Sequence, residues 1–536
     1  MFCVSLKSIL RICLFFSGSY LKGILLEDMS LEEKVGQVLM VHFNGEYANE
    51  DAKKLIQGMY VGGFIYFNPS NGLHSPAQVN QLSRGLQELA RKNRLSLPLF
   101  IAIDQEGGLV ARLQQGFTQF PGNKAIGMAG DPDLARKAAC AMGQEMRAVG
   151  INMNFAPVVD VNTNPYNPVI GIRAFADNPE EVITFGKNAL DGYRQAGTIA
   201  TLKHFPGHGD TVVDSHQDLP KILKSLHELE TIELSPFAHL AESVDAIMTA
   251  HLIAPALDAD HCSTISKKTL AYLREKIGFK GVIVTDSLIM QGILNQTTTV
   301  GEAAIQALDA GCDIILVGGV RCINGTTVEL SVDDVKEIRN SLLDSIRTGR
   351  VSESRLNEAV QRILNLKKLY LDFSYDTATP INTTENYRIA EEIAQKAVRV
   401  HGDLSQIKNI SCKKIFICAP EELQNTLNKT NFLFQEPACS VFFENLNPSE
   451  LEITAAQCAA KNADLILFFS YNAWKNPLQK ALIQWLLDLE KPMVIISTAD
   501  PVDLSLFPKA NNSITTFSPT EPSIKAACTL LKMCRT

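Results

Sequence analysis

Eight short apolar runs, separated by helical patterns, follow one another between residues 37 and 319. The runs are QVLMVHF (37–43), VGGFIYF (61–67), PLFIAID (98–104), INMNFAP (151–157), TIATLKHF (198–205), AIMTAHL (246–252), GVIVTDS (281–287) and DIILVGG (313–319). Each is continuously apolar and rich in Val, Ile or Phe, which is typical of parallel strands covered on both faces. Eight strand–helix units predict a (β/α)8 TIM barrel, since an open doubly wound sheet usually has fewer strands.

The stretches between these runs have helical periodicity. In AQVNQLSRGLQELARKN (77–93), apolar residues recur at steps of three and four and share one face, namely Val79, Leu82, Leu86 and Leu89. In DPDLARK, Asp131 is placed to cap a helix and Pro132 to occupy its first position. These patterns predict the helices that cover the barrel.

A second alternation begins after a polar, turn-rich stretch near Asp372. A helix is expected from about Ile389, followed by strands in KKIFICAP (413–420), ADLILFFSY (463–471) and KPMVIIST (491–498) and a last helix at EPSIKAACTLL. This pattern predicts a smaller three-layer α/β sandwich domain. The predicted organisation is an N-terminal extension (1–26), the barrel (27–371), a linker (372–390) and the second domain (391–536).

Composition limits the partners and the compartment. The chain has 536 residues, a formal net charge of −8 and no long basic run, so nucleic acid is not an expected partner. Twelve dilute cysteines without a CxxC pair favour a reducing compartment. No phosphate-binding glycine motif occurs in the predicted second domain, so nucleotide binding is not expected there, and no cofactor is expected for the chain.

The N-terminal extension carries only a short apolar run, from Ile12 to Phe16. This run is shorter than the apolar part of a good signal peptide and far too short to span a bilayer. We expect a cytoplasmic monomer without a stable membrane span. Export or membrane association through residues 1–26 is the alternative.

The predicted strands also predict the site, because active sites of such barrels lie at the carboxyl ends of the strands. Charged side chains end several of the predicted strands, namely Asp104 on the third, Lys203 and His204 on the fifth, His251 on the sixth and Asp286 on the seventh. A lone carboxylate at such a place is usually a helix cap or a solvated group. Several converging groups instead indicate a shared pocket.

The histidine-rich segment KHFPGHGDTVVDSH (203–216) contains three of the ten histidines of the chain. Pro206 and the glycines at 207 and 209 exclude a helix, and with it the helical histidine pair of zinc peptidases. A loop that carries a proton-transfer group is favoured, in which Asp214 orients His216 from two residues away on an extended segment. The alternative that stays open is a metal site formed by His204, His208, Asp210 and His216.

Four segments together resemble the motifs of family 3 glycoside hydrolases. They are IDQEGGLVARL (103–113), APVVDVNTNPYNPVIGIRAF (156–175), the histidine-rich segment and GVIVTDSLIM (281–290). Within that family they resemble the two-domain form of the bacterial β-N-acetylglucosaminidase branch, which acts on peptidoglycan-derived glycosides. The β-glucosidase branches lack the histidine-rich segment and take their acid/base glutamate from the second domain.

The resemblance implies a role for each matching residue. Asp286 would be the nucleophile, and His216, partnered by Asp214, would be the acid/base. The implied sugar-binding residues are Asp104, Arg112, Arg173, Lys203 and His204. The implied activity is retaining exo-hydrolysis of terminal N-acetyl-β-glucosamine from small peptidoglycan fragments, without metal or organic cofactor.

Two alternatives to this activity are considered. One is a β-glucosidase or β-xylosidase of the same fold, against which the intact histidine-rich segment argues. The other is an inactive sugar-binding module, which would have no need of a nucleophile together with a proton donor.

Overall fold

Eight parallel strands form the larger sheet of the computed structural model, which describes residues 26–215, 217–323, 326–373, 379–404, 414–429 and 438–533. The strands are β1 (Leu39–Val41), β2 (Gly63–Ile65), β3 (Phe100–Ile103), β4 (Met153–Asn154), β5 (Ile199–Phe205), β6 (Ala246–Thr249), β7 (Val282–Val284) and β8 (Ile315–Val317). Each strand from β1 to β6 pairs with the next along the chain, and β8 pairs with β1, so that β7 and β8 are the two ends of the sheet. A parallel bridge between Val284 and Ile314 joins the two ends of the sheet. The predicted barrel is therefore confirmed.

Helices surround this barrel. They are α1 (Leu31–Gln37), α2 (Glu50–Lys53), α3 (Asn68–Asn71), α4 (Pro76–Arg91), α5 (Asn123–Ala129), α6 (Pro132–Ala148), α7 (Pro179–Gln195), α8 (Leu226–Thr231), α9 (Ser235–Leu240), α10 (Lys267–Ala271), α11 (Gln291–Leu294), α12 (Val300–Ala310), α13 (Val332–Arg347) and α14 (Glu353–Tyr370). Asp131 caps α6 as predicted, because its side chain accepts a hydrogen bond from the backbone of Asp133. The periodic face of α4 is buried at Val79, Leu82 and Leu86.

A second, six-stranded sheet follows the barrel. Its strands are β9 (Arg399–Gly402), β10 (Ile415–Pro420), β11 (Ala438–Phe443), β12 (Leu465–Ser470), β13 (Met493–Ser497) and β14 (Asn512–Thr515), in the order β9-β14-β13-β12-β10-β11. All pairings are parallel except that of β9 with β14. The helices that follow the barrel are α15 (Thr384–Ala397), α16 (Gln424–Lys429), α17 (Glu450–Lys461), α18 (Pro477–Leu487), α19 (Val502–Ser505) and α20 (Glu521–Met533).

Alternating side chains of the second sheet enter different cores. On β10, Ile415 and Ile417 belong to one apolar cluster, whereas Phe416 and Cys418 belong to another. Because successive side chains of a strand point to opposite faces, the sheet is buried on both sides. The domain is therefore the predicted three-layer α/β sandwich.

Helix α15 begins at Thr384, earlier than the predicted start at Ile389 and within the segment predicted as the linker. Thr383 caps it by accepting a hydrogen bond from the backbone of Asn386. Its residues Ala390, Ile393 and Ala397 are fully buried and belong to the apolar core of the barrel. The helix forms because this face packs on the barrel, which the local polar pattern does not reveal.

The carboxyl ends of the second sheet face the loops of the barrel. After β12, Nζ of Lys475 donates to the carbonyl of Pro168 at 2.6 Å. After β13, Oδ2 of Asp500 lies 3.2 Å from where a Cβ at Gly171 would stand. The edge at which open α/β sheets usually bind ligands is thus covered by the first domain. In the described part of the chain, no helix has the length and apolar character needed to cross a membrane.

Candidate active site

A cavity of about 410 Å³ opens at the carboxyl ends of the barrel strands. Its volume is at the small end of the range for ligand sites, about 300–1,000 Å³. The cavity brings together six of the residues predicted for the site, namely Asp104, Arg112, Arg173, Lys203, His204 and Asp286. Ser215 also lines the cavity, next to the predicted Asp214. His216 lies outside the described residues.

The strands position these side chains. Asp104 comes directly after β3, Lys203 and His204 belong to the carboxyl end of β5, and Asp286 follows β7. A backbone amide next to the expected nucleophile helps to hold it, since Ser287 N donates to Oδ1 of Asp286 at 2.7 Å. All these groups therefore meet at one end of the barrel, as the strand pattern predicts.

Glu106 is the centre of a buried charge network. Arg173 binds it with two parallel hydrogen bonds, Nε to Oε2 at 2.9 Å and Nη2 to Oε1 at 2.8 Å. Lys203 lies between two carboxylates, with Nζ 2.7 Å from Oε1 of Glu106 and 2.8 Å from Oδ1 of Asp104. The two predicted sugar-binding cations are thus fixed in place by carboxylates.

This pairing keeps the groups charged. Burial alone would raise the pKa of Glu106, but the charges of Arg173 and Lys203 outweigh it and hold that pKa well below its usual range. Burial opposes the charge of Lys203, yet Asp104 and Glu106 raise the pKa of its ammonium group. Cations and carboxylates therefore coexist at the cavity wall near neutral pH.

Asp104 and Arg112 present polar atoms to the cavity. The second oxygen of Asp104, Oδ2, lies 3.9 Å from Nη2 of Arg112. Nε of Arg112 is buried and has no hydrogen-bond partner among the described residues. The guanidinium carbon of Arg112 also lies 5.9 Å from the centroid of the Phe67 ring, within the reach of about 6 Å for a cation–π contact. The pair can accept from and donate to sugar hydroxyl groups.

Asp160 organises the two histidines of the cavity. Its Oδ2 lies 2.7 Å from Nδ1 of His204, and its Oδ1 accepts from the backbone amides of His204 at 3.1 Å and His208 at 2.7 Å. Burial would raise the pKa of Asp160, but His204 lowers it through its charge and hydrogen bond. Asp160 thereby fixes the orientation of the His204 ring at the cavity.

His208 bridges two parts of the histidine-rich segment. Its Nδ1 lies 2.8 Å from Oγ1 of Thr211, and its Nε2 lies 3.1 Å from Oγ of Ser215. Burial, reinforced by the charge of His204, lowers its pKa to about 4. His208 is therefore a neutral side chain that connects the start of the segment to the cavity-lining Ser215.

These contacts bear on the alternative of a metal site. Both ring nitrogens of His208 are hydrogen-bonded, and Nε2 of His204 faces the guanidinium group of Arg173 at 3.3 Å. The described residues, which exclude His216, contain no group of three or more potential metal ligands. A metal bound here by the two described histidines would have to displace hydrogen bonds and approach a cation.

The segment differs from the prediction at Asp214. The backbone amides of Gln217 and Asp218 both donate to the carbonyl of Asp214, at 2.9 and 3.0 Å. The carbonyl of Asp214 therefore begins a turn, whereas the sequence predicted an extended segment that ends at His216, a residue outside those described. The orientation of His216 by Asp214 stays a prediction.

Some residues at the cavity were not predicted from the sequence, and one residue predicted to face the cavity, His251, does not line it. Glu106 and Asp160 were given no role, although Glu106 stands two residues after Asp104 in a segment already singled out, and His208 was named only as a ligand of the alternative metal site. His251 does not line the cavity. It is buried, and its Nε2 lies 2.9 Å from the carbonyl of Ser287, so it supports the backbone beside Asp286.

The family follows from comparison with known proteins. Residues 30–366 match the model of the glycosyl hydrolase family 3 N terminal domain. The chain belongs to this family and is a glycoside hydrolase, in agreement with the barrel and the carboxylates at its cavity.

Individual relatives give a narrower likeness. The chain is 36% identical to beta-hexosaminidase A of Pseudoalteromonas piscicida over 409 residues, which cover 69% of this chain and 67% of that protein. It is 35% identical to a beta-hexosaminidase of Pseudomonas aeruginosa over 307 residues, 56% of this chain and 87% of that protein. Among solved structures, a family 3 beta-N-acetylglucosaminidase from Paenibacillus sp. str. FPU-7 matches with a TM-score of 0.85 and 35% identity, covering 94% of this chain and 97% of that chain.

Proposed function

We propose that the protein is a retaining exo-β-N-acetylglucosaminidase that releases terminal N-acetyl-β-glucosamine from peptidoglycan-derived glycosides. The observation that carries the proposal is the cavity that Asp286 shares with Ser215, which belongs to the histidine-rich segment. The relatives named beta-hexosaminidase and beta-N-acetylglucosaminidase support the same activity.

In the first step, a carboxylate oxygen of Asp286 attacks the anomeric carbon while the glycosidic C–O bond breaks. His216, as imidazolium, gives its proton to the departing oxygen, so the leaving group departs as an alcohol. The sugar is left covalently bound to Asp286. Most retaining enzymes use a second carboxyl group for this proton transfer, and a histidine oriented by Asp214 replaces it in the proposed mechanism.

In the second step, neutral His216 takes a proton from water, whose oxygen attacks the anomeric carbon and releases Asp286. Two displacements return the original configuration at that carbon. Asp104 and Arg112 would bind sugar hydroxyl groups, while Arg173, Lys203 and His204 would complete the wall of the subsite. The small cavity supports removal of one terminal sugar at a time.

No cofactor takes part in this mechanism, and the partner is a small carbohydrate. We infer in addition that the protein works as a cytoplasmic monomer, which suits its recycling of small cell-wall fragments. Export through residues 1–26 remains the alternative location.

A panel of substrates tests the proposal. We expect hydrolysis of 4-nitrophenyl N-acetyl-β-glucosaminide to exceed that of the matching β-glucoside and β-xyloside by orders of magnitude in kcat/KM. Proton NMR of the first product formed should show the β-anomer. Preference for the glucoside or xyloside, or a first-formed α-anomer, would overturn the proposal.

The origin of the substrate needs its own comparison. The disaccharide of N-acetylglucosamine linked β-1,4 to N-acetylmuramic acid is compared with chitobiose, which has the same terminal sugar and a neutral acceptor. A higher kcat/KM on the disaccharide that contains N-acetylmuramic acid supports peptidoglycan fragments as the natural substrate. A preference for chitobiose would contradict that part and leave the reaction type unchanged.

A further inference from the structure

A loop of the second domain, residues 471–476, is held firmly in one conformation. Asp503 accepts hydrogen bonds from Oγ of Ser470 at 2.9 Å and from the backbone of Trp474 at 3.0 Å. Oε1 of Gln479 accepts from the backbone of Tyr471 at 2.9 Å. Because Asp503 and Gln479 are both buried, the loop is fixed to the sheet behind it.

This second-domain loop contacts one loop of the barrel, residues 162–171. Nζ of Lys475 donates to the carbonyl of Pro168 at 2.6 Å. The ring of Trp474 meets the ring of Tyr166 edge to face, with centroids 5.8 Å apart. A charge-assisted hydrogen bond and an aromatic pair thus join two adjacent side chains of one domain to the other.

The barrel loop in turn holds the histidine-rich segment. Nδ2 of Asn164 donates to the carbonyl of Thr211 at 2.9 Å, and Nδ2 of Asn167 donates to the carbonyl of His208 at 2.8 Å. Gly209 approaches so closely that a Cβ there would stand 1.8 Å from the carbonyl oxygen of Val161. The two backbones are therefore packed without room for a side chain between them.

The segment then reaches the cavity through His208, whose Nε2 lies 3.1 Å from Oγ of Ser215. Asp214 is the neighbour of Ser215. Burial lowers the pKa of Lys475, and the charges of Asp500 and Asp214 partly oppose this effect. One route of direct contacts therefore leads from the second-domain loop to the residues beside the acid/base position.

We propose that Lys475 and Trp474 are positioning residues through which the second domain holds the acid/base segment at the cavity. They act through the barrel loop 162–171 and do not touch the reacting atoms. The inference rests on the proposed roles of Asp214 and His216. It gives the second domain a part in catalysis although it supplies no catalytic group.

The test compares leaving groups in the full-length enzyme. The dinitrophenolate of 2,4-dinitrophenyl N-acetyl-β-glucosaminide departs without being protonated. Departure of methanol from the methyl glycoside requires a proton from the proposed general acid, His216. Because misplacement of about 1 Å can cost about 100-fold in rate, Lys475→Met and Trp474→Ala should each lower kcat on the methyl glycoside by roughly 10–100-fold. For the dinitrophenyl substrate, the rate constant of the first step, formation of the glycosyl-enzyme, should change by less than about threefold. Lys475→Arg, which keeps the cation, should restore most of the loss.

A matched control removes an ion pair between helix α15 and the surface of the barrel. Nζ of Lys396 lies 3.1 Å from Oδ2 of Asp131, on the barrel surface, and has no part in the route described. Lys396→Met should leave the ratio of the two rates unchanged. Thermal unfolding of every variant shows whether it is folded before rates are compared.

The outcomes separate this inference from the proposed function. A leaving-group gap is a larger loss of rate on the methyl glycoside than on the dinitrophenyl substrate. If Asp214→Ala and His216→Ala show this gap while Lys475→Met and Trp474→Ala do not, the inference is overturned and the proposed function stands. A Lys475→Met effect confined to KM would also overturn it, since that would indicate direct contact with the leaving group. If Asp214→Ala and His216→Ala show no gap, the acid/base assignment itself fails, and the inference with it.

Discussion

The Nζ atom of Lys203 lies 2.7 Å from Oε1 of Glu106, and each side chain exposes only 2% of its surface. The same carboxylate holds the guanidinium group of Arg173. Two cations of the cavity wall therefore depend on one buried anion. Removing that anion leaves Arg173 without its carboxylate partner and Lys203 with Asp104 as its remaining carboxylate. Breaking a buried ion pair in this way is costly because it leaves buried charge with less compensation.

We expect Glu106→Gln to lower the free energy of unfolding by about 3–5 kcal/mol, because the isosteric amide keeps the volume and loses the charge. Urea denaturation measures this loss. The KM for the aryl glycoside should rise as well, since Lys203 and Arg173 lose their fixed positions. Glu88→Gln, at an exposed position on α4, is the control and should leave the free energy of unfolding and KM unchanged. A Glu106→Gln enzyme as stable as wild type would contradict the described network.

Asp286→Ala should fold normally and lose turnover by several orders of magnitude, since no other group would form the covalent intermediate. Thermal unfolding checks the fold. A fluorinated slow substrate should label the wild-type enzyme on Asp286, as located by peptide mapping. A label on Asp104 or Asp160 would assign the nucleophile to another carboxylate of the same cavity.

His208 should make the protein less stable in acid. Its pKa falls from 6.5 to about 4 on folding because burial opposes the charge. Between those values the unfolded chain binds a proton that the folded chain does not, so stability decreases as the pH falls from 6.5 to 4. The full effect is about 3 kcal/mol for a shift of this size.

Urea unfolding at pH 7 and pH 4.5 measures this linkage. His208→Gln has no titrating ring, so its stability should fall less than that of the wild type, by about 2–3 kcal/mol. His227→Gln, at an exposed position on α8, is the control and should keep the wild-type dependence. Equal pH dependence in His208→Gln and wild type would show that His208 is not held neutral.

Glutamates of the second domain should be dispensable for turnover. Glu421, Glu422 and Glu444 are exposed, and none lines the cavity. Each change to Gln should leave kcat on 4-nitrophenyl N-acetyl-β-glucosaminide nearly unchanged. A large loss at one of them would favour an acid/base glutamate supplied by the second domain, as in β-glucosidases.

The barrel could be predicted because each of its strands is buried on both faces and therefore consists of a continuous run of apolar residues. Strand β11 was missed for the opposite reason: it lies at the edge of its sheet, and Cys439 and Ser440 are exposed there. Strand β14 was also missed, since its buried residues include the polar Asn512, Ser513 and Thr515.

In the site, residues placed by their position in a strand could be predicted, whereas contacts between residues far apart in the sequence could not. Asp104 and Asp286 could be placed because their position at strand ends is local. The importance of Glu106 could not be derived from its surroundings in the sequence, because its partner Arg173 is 67 residues away. The hydrogen bonds that the carbonyl of Asp214 accepts were not predicted, although Asp and Ser are common in turns, because Asp214 was interpreted as a functional group on an extended segment.

Helix α15 determines where the chain can be divided in protein engineering. Because Ala390, Ile393 and Ala397 complete the core of the barrel, a truncated barrel ending at residue 371 would expose an apolar groove to water. A terminus placed after Ala397 would keep that groove filled. The boundary suggested by the polar stretch near Asp372 thus differs from the end of the apolar core at Ala397. An expression fragment of the barrel should end after Ala397.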